Sequence, residues 1–112
     1  MEIQNLPENV ILVKLSESKP KISDELKELN ETISKKNNCD VVIDFSFVEI
    51  INSSNISNLL LLRGFLDDHG RRLILYNVQT ITKCIFVVAG LTDSFVFIDD
   101  MEDVLKAVQS TT

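Results

Sequence analysis

The sequence predicts an α/β fold: a small mixed, mostly parallel sheet of four or five strands with about four helices. Three observations predict it. Short apolar runs alternate with longer segments of helical period, in the order β-α-β-α-β-α-β-α. Val41-Val42-Ile43 is apolar without alternation, as expected of a strand covered on both faces. Glycine closes two of the helical segments, at Gly70 and Gly90. Strands alternating with helices imply right-handed crossovers onto a largely parallel sheet. The first strand, next to the termini, is the one free to run antiparallel.

The elements follow in order. Residues 2 to 5 suit a short edge strand before the turn at Pro7. Val10 to Leu15 is a strand in which Ile11, Val13 and Leu15 alternate with Leu12, Lys14 and Ser16. Pro20 marks a loop. A helix is expected from about Ser23 to Lys36, with Ser23 as N-cap, Asp24 and Glu25 in its first turn, and Lys35 and Lys36 in its last. Ile22, Leu26, Leu29 and Ile33 share one face of it. Asn37-Asn38 ends it, and Val41-Val42-Ile43 leads to Asp44. A second helix runs from about Ser54 to His69, stopped by Gly70. Arg72 to Tyr76 is a strand, Thr80 to Ala89 a helix, Phe95 to Ile98 a strand and Asp100 to Gln109 the last helix. Four consecutive leucines, 59 to 62, cannot all face one sheet. Leu59, Leu62 and Leu66 are expected to face it, with Leu60 and Leu61 on an adjacent helix or partly exposed.

The chain has 112 residues, 45% hydrophobic and 25% charged, so residues 1–112 read as one ordinary globular domain. Eleven Lys and Arg against seventeen Asp and Glu leave a net charge of −6. That balance excludes a sequence-independent nucleic-acid binder, which needs cations to neutralise phosphates. It excludes a polybasic membrane anchor for the same reason. No apolar run approaches the roughly 20 residues of a membrane span. The N-terminus lacks the basic and apolar regions of a signal peptide, so a cytoplasmic chain is expected. Cys39 and Cys84 are expected to be reduced thiols, with Cys84 buried.

In open α/β sheets, function gathers beyond the carboxyl ends of the strands. The most polar such junction runs from Asp44 to Ser57, with two hydroxyls, Ser53 and Ser54, where the second helix begins. One reading is structural: a serine there caps the helix. The other is a phosphoacceptor, since a phosphate at a helix N-terminus meets free N–H groups. The exposed part of this helix, with Asn55, Ile56 and Ser57, is the candidate docking surface.

The stretches Asp44-Phe45-Ser46-Phe47-Val48, Ile51-Asn52-Ser53-Ser54-Asn55-Ile56, Leu73-Ile74-Leu75-Tyr76-Asn77-Val78 and Ala89-Gly90-Leu91-Thr92-Asp93-Ser94-Phe95 resemble a STAS domain. The resemblance covers about residues 9 to 108 and is strongest to single-domain anti-sigma-factor antagonists. It implies a partner-switching regulator. Such a protein binds an anti-sigma factor that is also a serine kinase, is released when a serine at the start of the second helix is phosphorylated, and is restored by a PP2C-type phosphatase. The phosphorylated serine falls on Ser54, with Ser53 its neighbour. The partner surface then comprises Asn52, Ser53, Ser54, Asn55, Ile56 and Ser57, on a monomer or weak dimer. Asn52 and Asn55 stand where the family has Asp and Gly, and Leu15-Ser16-Glu17-Ser18-Lys19-Pro20 replaces its usual early loop. Asn52 removes a charge beside the phosphoacceptor. Asn55 costs backbone freedom if a positive φ is needed there. The alternative is a STAS accessory subunit of a transporter or signalling assembly that is not phosphorylated.

An enzyme is not expected, and neither is a metal or a cofactor. The only histidine, His69, lies at the far end of the helix that starts near Ser54, about 20 Å away at 1.5 Å per residue. No G-x-S-x-G elbow, metal-spaced cluster or phosphate-cradling glycine loop is present. Asp99, Asp100, Glu102 and Asp103 read as charges at a helix N-terminus.

Overall fold

The computed structural model describes residues 1–16, 19–36 and 38–109, with the backbone alone at 19–21 and 109. The elements are β1 (Glu2–Leu6), β2 (Val10–Lys14), α1 (Lys19–Lys36), β3 (Asp40–Asp44), α2 (Ser53–Asp68), β4 (Leu73–Tyr76), α3 (Thr80–Val88), β5 (Val96–Ile98) and α4 (Met101–Gln109). They form one five-stranded sheet in the order β1-β2-β3-β4-β5. β1 pairs antiparallel with β2, and every other pairing is parallel. The mixed, mostly parallel sheet with four helices matches the sequence expectation.

Side-chain alternation sorts the helices onto the two faces. Val13, Ile43, Leu75 and Phe97 are register partners across the sheet; the first three lie in the larger core and the half-buried Phe97 packs against it. That core also takes Ile22, Leu26, Leu29 and Ile33 from α1, Leu59, Leu62 and Leu66 from α2, and Phe86 from α3. The other face presents Val10, Val42 and Ile74 to Val104 and Val108 of α4. With both faces covered, the centre of β3 must be apolar, as Val41, Val42 and Ile43 are, with Asp40 and Asp44 confined to its two ends. Leu60 packs at the edge of the larger core and Leu61 is 67% exposed, so the leucine run divides as expected.

Three local expectations are corrected. α1 begins at Lys19, not Ser23, because Pro20 occupies its first turn rather than a loop. A first-turn proline loses no helix hydrogen bond and its φ already suits the helix. Ser23 therefore lies inside α1 and caps nothing. Ser54 is not the first residue of α2, which starts at Ser53 with Asn52 as N-cap. Cys84 is exposed and Cys39 is the buried thiol. The outer face of α3 carries Ile81, Val87 and Val88, so it is apolar on both sides. Periodicity alone could not tell which side met the sheet. Gly70 and Gly90 close α2 and α3 with φ of +67° and +72°, a conformation that favours glycine.

Glu25 ties the start of the chain to α1. Its carboxylate accepts hydrogen bonds from the Ser16 backbone N–H at 3.0 Å and the Ser16 hydroxyl at 2.9 Å, and it pairs with the Met1 α-ammonium. Burial pushes its pKa up, but the ammonium and the Ser16 donors outweigh this and hold it below the ordinary carboxylate value.

Candidate functional site

The junction between β3 and α2 is built from three parts of the chain. Asp44 ends β3, and its Oδ1 accepts the Ser46 backbone N–H at 2.8 Å and the Ser46 hydroxyl. The Ser46 oxygen accepts in turn from Asn77 Nδ2 at 2.8 Å. Asn77 follows β4 with φ +58°, a conformation that asparagine tolerates better than most residues. Gln79 Nε2 donates to Ser46 O at 3.0 Å. Asp44, Ser46 and Asn77 thus form one polar chain across the carboxyl ends of β3 and β4. Farther along, the buried Thr82 hydroxyl shares its proton between Glu49 O at 2.6 Å and Val48 O at 3.1 Å. Phe45, Val48 and Ile51 are buried, which anchors the loop from beneath. Phe47 and Ile50 face outward, about half exposed.

At the start of α2, Asn52 and Asn55 form a reciprocal capping box. Asn52 Oδ1 accepts Asn55 N–H at 2.9 Å, and Asn55 Oδ1 accepts Asn52 N–H at 2.9 Å. Asn55 Nδ2 also donates to Ser23 Oγ of α1 at 3.0 Å. Asn55 is helical, so no positive φ is required of it. With the cap supplied by asparagine, neither Ser53 nor Ser54 is the capping residue. Both are exposed, and neither hydroxyl has a hydrogen-bond partner among the described residues.

The six residues singled out in the sequence are not equivalent. Asn52, Ser53, Ser54 and Ser57 are exposed. Ser57 stands one turn beyond Ser53 and Ser54 on the same face, and Leu61 continues that face another turn. Ile56 is half-buried against the core. Asn55 is fully buried and is corrected out of the docking surface, because its side chain is spent on the cap and on Ser23. No carboxylate occupies the first turn of α2, so the amino end of that helix keeps its partial positive charge. Sequence reasoning missed Gln79 and Thr82, which act through space, and gave Ser23 a capping role in place of its contact with Asn55. Asn77 was present in the sequence pattern, but nothing local connected it to Ser46.

His69 lies at the C-cap of α2, with Nδ1 2.9 Å from Phe65 O, at the opposite end of the helix from Ser54. Asp100 Oδ1 accepts the Glu102 N–H at 2.8 Å, so the acidic cluster does serve the start of α4. No group of three or more metal-ligating side chains converges among the described residues. No helix among them is long and apolar enough to cross a membrane.

A family model for the STAS domain matches residues 11–105. Comparison with curated proteins returned no significant match. Solved structures share the fold at low identity. The anti-sigma factor antagonist SpoIIAA in its unphosphorylated form aligns with 97% of this chain and 97% of its own, at 13% identity and a TM-score of 0.73. A STAS domain protein from Planctomyces limnophilus aligns over 97% of both chains, at 15% identity and a TM-score of 0.78. A chain from the stressosome, a signal integration and transduction hub, aligns over 96% of both, at 16% identity and a TM-score of 0.72.

Proposed function

The chain belongs to the STAS domain family, and from that premise we propose that it is an anti-sigma-factor antagonist that works by partner switching. It binds an anti-sigma factor that is also a serine kinase, through the exposed first turns of α2, and phosphorylation of Ser54 releases it. A PP2C-type phosphatase resets the switch, in the cytoplasm. The chain is a binding protein in this reading and catalyses nothing itself. The observation that carries it is the Asn52–Asn55 capping box. That box removes the structural reason for two serines at a helix start and leaves their hydroxyls exposed. A phosphate on Ser54 would add about −1.5 to −2 charges beside the free N–H groups of α2. The fold accommodates that charge there, whereas a packed partner surface does not.

Incubation with the anti-sigma-factor kinase and ATP, followed by mass spectrometry, tests the reading. Wild type should be labelled on Ser54 and Ser54→Ala should not. Equal labelling of the variant overturns the assignment. A second reading is a STAS subunit of a signalling assembly or transporter that is never phosphorylated. The neutral Asn52 and the likeness to a stressosome chain favour it. Capture of a transporter subunit or a large assembly from the native cell, with Ser54 unmodified, would decide for it.

A further inference from the structure

Arg63, Arg71 and Arg72 are the only arginines of the chain, and all three line one cavity of about 410 Å³. The cavity opens at the amino ends of β4 and β5, the end of the sheet away from Ser54. Its apolar wall is made by Leu73, Ile74 and Phe95. Arg71 has Asp40 Oδ1 3.3 Å from its Nε, and Arg72 donates to Ala107 O. Arg71 Nε, like that of Arg63, is buried without a hydrogen bond, but it has the Asp40 carboxylate beside it, which Arg63 lacks. Arg63 Nη1 reaches Ser94 O at 3.3 Å, its Nε is buried with no acceptor, and no described carboxylate pairs with it. A permanently charged guanidinium is therefore held at a cavity wall with a donor withdrawn from water and left unmade.

We propose that this cavity binds the oxyanion group of a compact organic acid, with Arg63 as its anchor. The planar guanidinium offers paired N–H donors that match two oxygens of a carboxylate or phosphate. The volume falls within the range of small-molecule sites, roughly 300–1,000 Å³. The apolar wall fits a hydrocarbon or ring body attached to that group. Asp67 and Asp93 also line the cavity and repel concentrated negative charge. The site therefore suits one oxyanion on an apolar body better than a polyphosphate. The inference is independent of the Ser54 reading, since no phosphorylation enters it.

Titration of the whole chain with sodium benzoate and with inorganic phosphate, at constant ionic strength, tests the site by nitrogen-15 NMR. The Arg63 Nε–H signal and the backbone amides of residues 94 to 96 should shift and saturate. The probe that saturates at lower concentration identifies the oxyanion as carboxylate or phosphate. Arg63→Met should weaken binding by about tenfold or more, with its fold checked by circular dichroism. Asp67→Asn keeps Arg63 and removes a like charge, so it should tighten binding severalfold. Shifts that stay linear, or that persist unchanged in Arg63→Met, would overturn the proposal. Should Arg63→Met fail to fold, an unchanged affinity in Asp67→Asn would overturn it.

Discussion

Asn52 and Asn55 each accept the other's backbone N–H at 2.9 Å, closing the first turn of α2 without either serine between them. Asn55 carries the heavier duty, because it is fully buried and also donates to Ser23. Asn55→Ala should destabilise the protein by about 1–2 kcal/mol, a cap loss added to an unmet Ser23 contact. Asn52→Asp keeps the acceptor and adds a charge that the helix end favours, so it should raise stability by roughly 0.3–1 kcal/mol. Chemical denaturation of both variants checks the opposite signs.

Ser54→Asp places a carboxylate on an exposed first-turn position, so stability should change by no more than about 0.5 kcal/mol. Under the proposed function, binding to an anti-sigma factor should weaken markedly, while Ser53→Ala should bind as wild type does. Titration calorimetry separates the two. Equal affinity for wild type and Ser54→Asp would leave a constitutive binder and remove the switch.

Glu25 makes stability depend on acid. Its folded pKa lies below the ordinary value of 4.5. A carboxyl lowered in this way contributes stability that is fully present above its unfolded pKa and is lost as pH falls through its folded one. Wild type should therefore be more stable than Glu25→Gln at neutral pH, and the gap should close below about pH 4. A gap that is constant from pH 7 to pH 3 would show that the pairing with Met1 and Ser16 contributes nothing.

Thr82→Val removes a buried hydroxyl that serves two loop carbonyls. A cost of about 1–3 kcal/mol is expected, because those carbonyls lose their donor without gaining water. Hydrogen exchange should quicken at residues 48 to 51 more than in β3.

The two thiols should react at different rates. Cys84 is exposed, while burial raises the pKa of Cys39 and withholds its thiolate. A thiol reagent should label one equivalent quickly in the native protein and the second only on unfolding.

Much of the fold was legible because it depends on local pattern. The spacing of Ile22, Leu26, Leu29 and Ile33 set the buried face of α1, and all four are in the core. The start of α1 was not legible, because Pro20 reads as a breaker and Ser23 as a cap until the helix is seen to run through both. The facing of α3 was not legible either. Contacts of the Phe86 ring with Phe95 and Phe97, at centroid distances of 5.5 and 5.2 Å, fix it, and those partners lie beyond the helix.

By itself, the sequence determined the order of strands and helices, the glycine stops and the presence of two hydroxyls where α2 begins. Each of these follows from neighbours within a turn or two. Only the tertiary structure decided that Asn52 and Asn55 cap that helix, that Asn55 is anchored by Ser23, that Ser46 is held by Asn77, and that three arginines share one cavity. The Asn52–Asn55 box spans only three residues, but its anchoring by Ser23 and the other pairings join residues far apart along the chain. Hydrogen bonds and charges act over a few ångströms of space, so which groups they join depends on how the sheet and helices bring the segments together.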